Sequence, residues 1–205
     1  MDCLHKVYAL VVLDSDGKRL FGKYYGANST HGGPSSGGGA SAIAAPIVCK
    51  WPTIEAQSAF ESAIHAKTRG AGAGASAGSS TSAEGDVLLH DGSAVVFLCD
   101  PELTFAVVGG ADENELVLAA VLSCLYEALQ QLLGTVTCIT KRELLTKYDL
   151  LWLVADEMID DGIILETSSA AVVAEVQPFA VVESQAADGA KKALTTLNKL
   201  LKESL

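Results

Sequence analysis

The 205 residues carry 14 Lys and Arg against 25 Asp and Glu, a net charge of −11, with 49% hydrophobic residues and a mean hydropathy of +0.31. Apolar content at this level builds a packed core of one to two domains and excludes bulk disorder, while the acidic balance excludes a nucleic-acid binder that works by neutralising phosphates and points to a protein partner. The five cysteines (Cys3, Cys49, Cys99, Cys124, Cys138) form no CxxC or CxxxC pair, and three lie in apolar runs, so they read as reduced core residues of a cytosolic protein.

The run KVYALVVL (6–13) is apolar on both faces, as a central strand is. Asp2 precedes it and Asp14-Ser15-Asp16-Gly17 follows, which leaves no small-residue cleavage site for a signal peptide. Asp16-Gly17 turns the chain into KRLFGKYY (18–25), and the two runs make a β-hairpin. Residues 26–46 and 69–85 then hold 11 of the 19 glycines among Ser, Ala and Pro, so they read as disordered Gly/Ala/Ser-rich insertions. Between them, Pro52, Thr53 and Glu55 start a helix over 53–67 whose Ala56, Phe60 and Ile64 recur every fourth residue. Three strands follow at 86–90, 93–100 and 102–109, joined at Asp91-Gly92 and Pro101.

Asp112, with Glu115 three residues on, resembles a capping box for the longest helix, which ends near Gly134. Its stripe of Leu118, Leu122, Leu125, Leu129 and Leu132 must lie across the sheet. No 18 apolar residues run together without charge, so no membrane-spanning helix is expected. Thr140 with Glu143 opens another helix, Asp149 caps a third through Asp160, and Ser168 or Ser169 starts a fourth that stops before Pro178. The order is ββα-βββ followed by helices, an α+β domain over 1–177 with a tail over 178–205. Within that tail, Ala190, Leu194, Leu197 and Leu201 predict an amphipathic helix over about 188–203 with four lysines on its other positions.

The third helix carries one stripe of Leu151, Val154, Ala155 and Met158, while Trp152 and Ile159 point about a quarter-turn away. Its acidic end, with Asp156, Glu157, Asp160 and Asp161, sits where the helix dipole disfavours acid and favours a basic partner. Trp152, Asp156, Ile159 and Asp160 are therefore the candidate partner interface. Chemistry of other kinds finds no residues. His5, His31, His65 and His90 are scattered without metal-ligand spacing, and Asp14-Ser15-Asp16-Gly17 lacks the later ligands of a calcium loop. No GxSxG, GxxxxGK[ST] or HExxH motif occurs, so neither catalytic residues, nor a metal, nor a cofactor is expected.

The segments VVLDSDGKRLFGKYY (11–25), AQSAFESAI (56–64), GGADENELVLAAVLSCLYEAL (109–129), KRELL (141–145) and LLWLVADEMIDDGIILETS (150–168) resemble, in order, the zeta subunits of coatomer, within the adaptor-complex small-chain family. The resemblance implies a longin-like fold: a five-stranded antiparallel sheet with one helix on one face and the remaining helices on the other. It also implies a non-catalytic subunit of the COPI vesicle coat that clamps onto the coatomer gamma subunit within a heptameric complex. That complex is cytoplasmic and peripheral on Golgi membrane, recruited by an ARF-class small GTPase for Golgi-to-ER retrograde and intra-Golgi transport. Both glycine-rich stretches depart from the short connections of that family. The alternative is a sigma-type small chain of a clathrin adaptor that helps to bind dileucine signals near the start of the long helix. Here Asp112, Glu113 and Glu115 would repel an acidic signal. A longin domain ahead of a SNARE motif would need a long heptad helix that the chain lacks.

Overall fold

The structure, a computed structural model, describes residues 5–26, 49–72 and 85–180. Five antiparallel strands form one sheet: β1 (Val7–Asp14), β2 (Arg19–Tyr24), β3 (Asp86–His90), β4 (Ser93–Cys99) and β5 (Leu103–Gly110), in spatial order β2-β1-β5-β4-β3. The expected strands are all present. Their turns follow from local chemistry. Gly17 takes φ +78°, which a side chain resists, and Asp14 Oδ1 accepts from the backbone N–H groups of Asp16 and Lys18. Asp91 and Gly92 both take positive φ, as a tight two-residue hairpin turn demands.

Strand β1 lies between β2 and β5, buried on both faces, which is why its sequence shows no polar alternation. A bulge at Tyr8 separates the Val7–Gly109 pair from the Ala9–Val108 pair. It sends Val7, Leu10 and Val12 to one face and Ala9, Val11 and Leu13 to the other. The second face is covered by helix α1 (Ile54–Gly72) through Phe60 and Ile64, with Trp51 beside them. The first face is covered by α2 (Glu115–Leu133), α3 (Lys141–Thr146), α4 (Tyr148–Met158) and a further helix over 169–180. This is the α+β, longin-like arrangement with helices on both faces.

Helix α2 is long and apolar enough to cross a membrane by length and composition, yet Leu118, Val121, Leu122, Leu125 and Leu129 are spent on the sheet and on α4. At Gly109 an added Cβ would come within 2.8 Å of Leu118 Cδ1, so a side chain there would have to displace Leu118 from its place in the core. The Tyr126 hydroxyl donates to the Asp100 carboxylate, which also accepts from Ile139 N–H and so ties α2, the β4–β5 turn and the approach to α3 together. Burial pushes that carboxyl above the usual range, against the lowering pull of those hydrogen bonds.

The boundaries of four helices differ from expectation. Helix α1 continues to Gly72, into the start of the second glycine-rich stretch, against the propensity of Gly70 and Gly72, because the helix is already anchored by packing up to the buried Thr68. The N-cap of α2 is Asn114, whose side chain accepts from Leu116 N–H; Asp112 stands two residues outside and caps nothing. Helix α3 does carry its capping box, Thr140 with Glu143. Asp149 lies inside the first turn of α4 and does not cap it, and α4 ends at Met158, where the chain becomes extended. The helix begun at Ser168–Ser169 passes through Pro178 and across the expected boundary at 177, since Val172 and Val176 seat it in the core strongly enough to offset one missing backbone hydrogen bond. The amphipathic helix over 188–203 and residues 27–48 and 73–84 of the two insertions lie outside the described residues.

Candidate partner interface

The end of α4 is built around the aromatic side chains that hold the helix to β2. The Trp152 ring packs edge-on against Phe21 at 4.7 Å and 67°, and the Tyr148 hydroxyl donates to the Leu20 carbonyl at 2.9 Å. Leu150, Leu151, Val154, Ala155 and Met158 meanwhile enter the core. The two apolar sides of α4 are thus both used within the fold, one in the core and one on β2.

After Met158 the chain makes a small hairpin, β6 (Ile159–Asp160) and β7 (Ile163–Ile164), turned by Asp161 and Gly162 at φ 43° and 82°. Gly162 O accepts from Val7 N–H at 2.8 Å, and Lys6 bridges Ile163, so the hairpin is fixed to the start of β1. Ile159 is fully buried. Of the four residues singled out from sequence, it supports the surface from beneath and offers nothing to a partner. Trp152 is half-buried against Phe21, while Asp156 and Asp160 are exposed.

Asp156 pairs with Lys23, whose ammonium also donates to the Ile159 carbonyl at 3.4 Å and lies 5.1 Å from the Tyr25 ring centroid. Glu157 and Asp161 are exposed beside them, and the last turn of α4 has no basic residue. Asp156, Glu157, Asp160, Asp161 and the negative end of α4 therefore gather at this corner, with Lys23 paired to Asp156. Behind them stands Tyr25, 3% exposed, its hydroxyl buried without a hydrogen bond. Burial first, then the negative charges of Asp156 and Asp160, drive its ionisation far above the ordinary phenol range. Lys23, Tyr25 and the hairpin were not foreseen. The Asp161-Gly162 pair was the available signal, being the same dipeptide that marks the turn between β3 and β4.

Elsewhere the chemistry is structural. A cleft of about 430 Å³ is lined by Leu133, Thr140, Arg142, Glu143, Thr146 and Lys147. Both its threonine hydroxyls already donate, Thr140 to Glu143 and Thr146 to the Arg142 carbonyl. Burial pushes the Cys124 thiol up to about 12, which makes it a poor nucleophile. Among the described residues no group of three or more His, Cys, Asp or Glu is placed to hold a metal ion.

The chain is thus one five-stranded antiparallel sheet covered by helices on both faces, with an acidic corner at the end of α4. The profile of the "Clathrin adaptor complex small chain" family matches residues 55–183, and the chain belongs to that family, on its coatomer zeta branch. It is 33% identical to coatomer subunit zeta-1 of Oryza sativa subsp. japonica, over 100% of this chain and 99% of the relative. Identity to the human coatomer subunit zeta-1 is 34%, over 84% of this chain and 77% of the relative. A solved structure titled as a homology model of the full-length AP-3 complex in a stretched open conformation contains a chain of the same fold, with TM-score 0.52 at 13% identity, over 91% of this chain and 98% of that one.

Proposed function

We propose that this chain is a non-catalytic subunit of the COPI vesicle coat, pairing with the coatomer gamma subunit and acting in Golgi-to-ER retrograde and intra-Golgi transport. The observation that carries the reading is the likeness to coatomer subunit zeta-1 of Oryza sativa subsp. japonica, which spans 100% of this chain and 99% of that relative. On this reading the protein is cytoplasmic and reaches Golgi membrane and COPI vesicles peripherally, through the complex and an ARF-class small GTPase. The partner-facing surface is the α4 corner, with Asp156, Asp160 and the exposed part of Trp152 outermost and Ile159 beneath.

Co-expression with a coatomer gamma trunk and, in parallel, with the large chain of a clathrin adaptor tests the reading. Stable recovery with gamma alone supports it. Recovery with the adaptor large chain alone transfers the protein to the sigma-type alternative, with its dileucine signals.

A further inference from the structure

We infer that the free edge of β3 pairs with β3 of a second copy of this chain, antiparallel about a two-fold axis, so that two five-stranded sheets become one continuous sheet. This edge lies across the sheet from β2 and the α4 corner, and the pairing does not depend on which large subunit the chain joins.

The two edges of the sheet are finished differently. Strand β2 carries Arg19 and Lys23, and Leu20 and Phe21 are engaged by Tyr148 and Trp152. Strand β3 has no lysine, proline or bulge: it pairs with β4 in unbroken register from Asp86–Phe97 to His90–Ser93, and Val87 and Leu89 are 48% and 65% exposed. Its hydrogen-bonding parity follows from the turn. A two-residue hairpin loop is flanked by a pair that exchanges both backbone bonds, here His90 and Ser93. Asp86, Leu88 and His90 therefore turn their N–H and C=O groups to β4, while Val87 and Leu89 turn theirs to the open edge.

That edge is complementary to itself. With Leu88 on the two-fold axis, Val87 of each copy stands opposite Leu89 of the other, and the outward N–H and C=O groups of both residues are all satisfied. Val87 and Leu89 continue the face that Val96 and Ala94 begin beneath α2, and Leu88 continues the α1 face. Asp86 falls opposite His90 of the second copy, at the non-hydrogen-bonded pairs where side chains approach most closely. The charges suit that placement. His90 Nδ1 lies 2.9 Å from Lys67 Nζ, which can only donate, so the ring proton sits on Nε2 and the Lys67 ammonium adds positive charge at this end of β3. Asp91, the next residue, is paired with Lys50. Sliding the two strands by two residues keeps the backbone parity but separates Asp86 from His90, so the charges select the register.

Sedimentation equilibrium of the full chain across a concentration series tests the pairing, with the melting temperature as a control for the fold. The wild type should shift reversibly from the 21.2 kDa monomer towards twice that mass by about 0.1 mM. Leu89→Lys, at an exposed position, sets an ammonium against Val87 of the second copy and should raise the dissociation constant about tenfold or more, with the melting temperature unchanged. The register is read by Leu88→Cys, which meets its own counterpart on the axis: mild oxidation should give a covalent dimer well above the wild-type background, and Val87→Cys should give far less. A wild type that stays monomeric, a dimer indifferent to Leu89→Lys, or equal cross-linking at 87 and 88 overturns the inference. So does a chain that dimerises only once residues 74–82 are deleted, because a segment of the chain itself then occupies the edge.

Discussion

At the scale of single residues, the described chain spends its buried charges on holding secondary structure together. Asp14 is 2% exposed, caps the β1–β2 turn with one oxygen and takes the Lys141 ammonium at 2.9 Å with the other. Burial alone would raise its carboxyl, but the Lys141 bond and the two backbone N–H groups outweigh it and hold the group below the usual carboxylate range. A depressed folded-state value means that this contribution is fully present above about pH 4, the unfolded value, and is lost as pH falls through the folded one. Urea titrations from pH 3 to pH 7 should therefore show the wild type losing stability on acidification more steeply than Asp14→Ala, which should be about 2–3 kcal/mol weaker at neutral pH. Glu61, 4% exposed, makes a tighter knot on the other face: it pairs with Arg19 Nε at 2.6 Å and accepts from the Tyr24 hydroxyl at 2.7 Å, while Arg19 also donates to Gln57. Removing Glu61 alone strands a half-buried guanidinium, so Glu61→Ala should cost about 3–5 kcal/mol by denaturant unfolding, whereas Glu61→Gln should retain part of it.

At the scale of elements, what was legible in the sequence was whatever a period or a turn dipeptide encodes locally. Asp16-Gly17 and Asp91-Gly92 announced their hairpins because the left-handed conformation needs such residues, and the stripe of α2 announced its buried face. Asn114 was passed over as the cap because Asp112 offered the same chemistry two residues earlier, and only tertiary packing decides between neighbouring caps. The β6–β7 hairpin was hidden because its two-residue strands are too short to show alternation and are anchored to the start of β1, over 140 residues away. Of the candidate interface residues, the sequence placed all four around the end of α4 but could not tell that Ile159 faces inward or that Lys23, on β2, and Tyr25, just after it, stand beside them. Gly162→Ala probes that hairpin: at φ 82° an alanine should cost about 1 kcal/mol. Faster hydrogen exchange at the Val7 N–H, whose acceptor is Gly162 O, should report it, with the amides of β4 unaffected.

At the scale of the whole molecule, α1 closes one face of the sheet and the C-terminal helices close the other, so neither half of the chain makes a core without the other. Shortening the two glycine-rich stretches, by deleting residues 29–44 and 74–82, should move the melting temperature by no more than a few degrees, since closure entropy changes only with the logarithm of loop length. The second deletion begins beyond Gly72 because α1 extends that far. The interior position of β1, between β2 and β5, has a further consequence for biosynthesis. Its neighbour β5 begins only at Leu103, so an apolar strand with one open edge must wait on the ribosome while some ninety more residues are made. During that interval the nascent chain presents a template for aggregation that α1 alone does not cover, because α1 shields only the Ala9, Val11 and Leu13 side. Translation stalled just after β4 should accordingly leave the hairpin bound to chaperones, and release should follow once β5 clears the exit tunnel and fills the open edge.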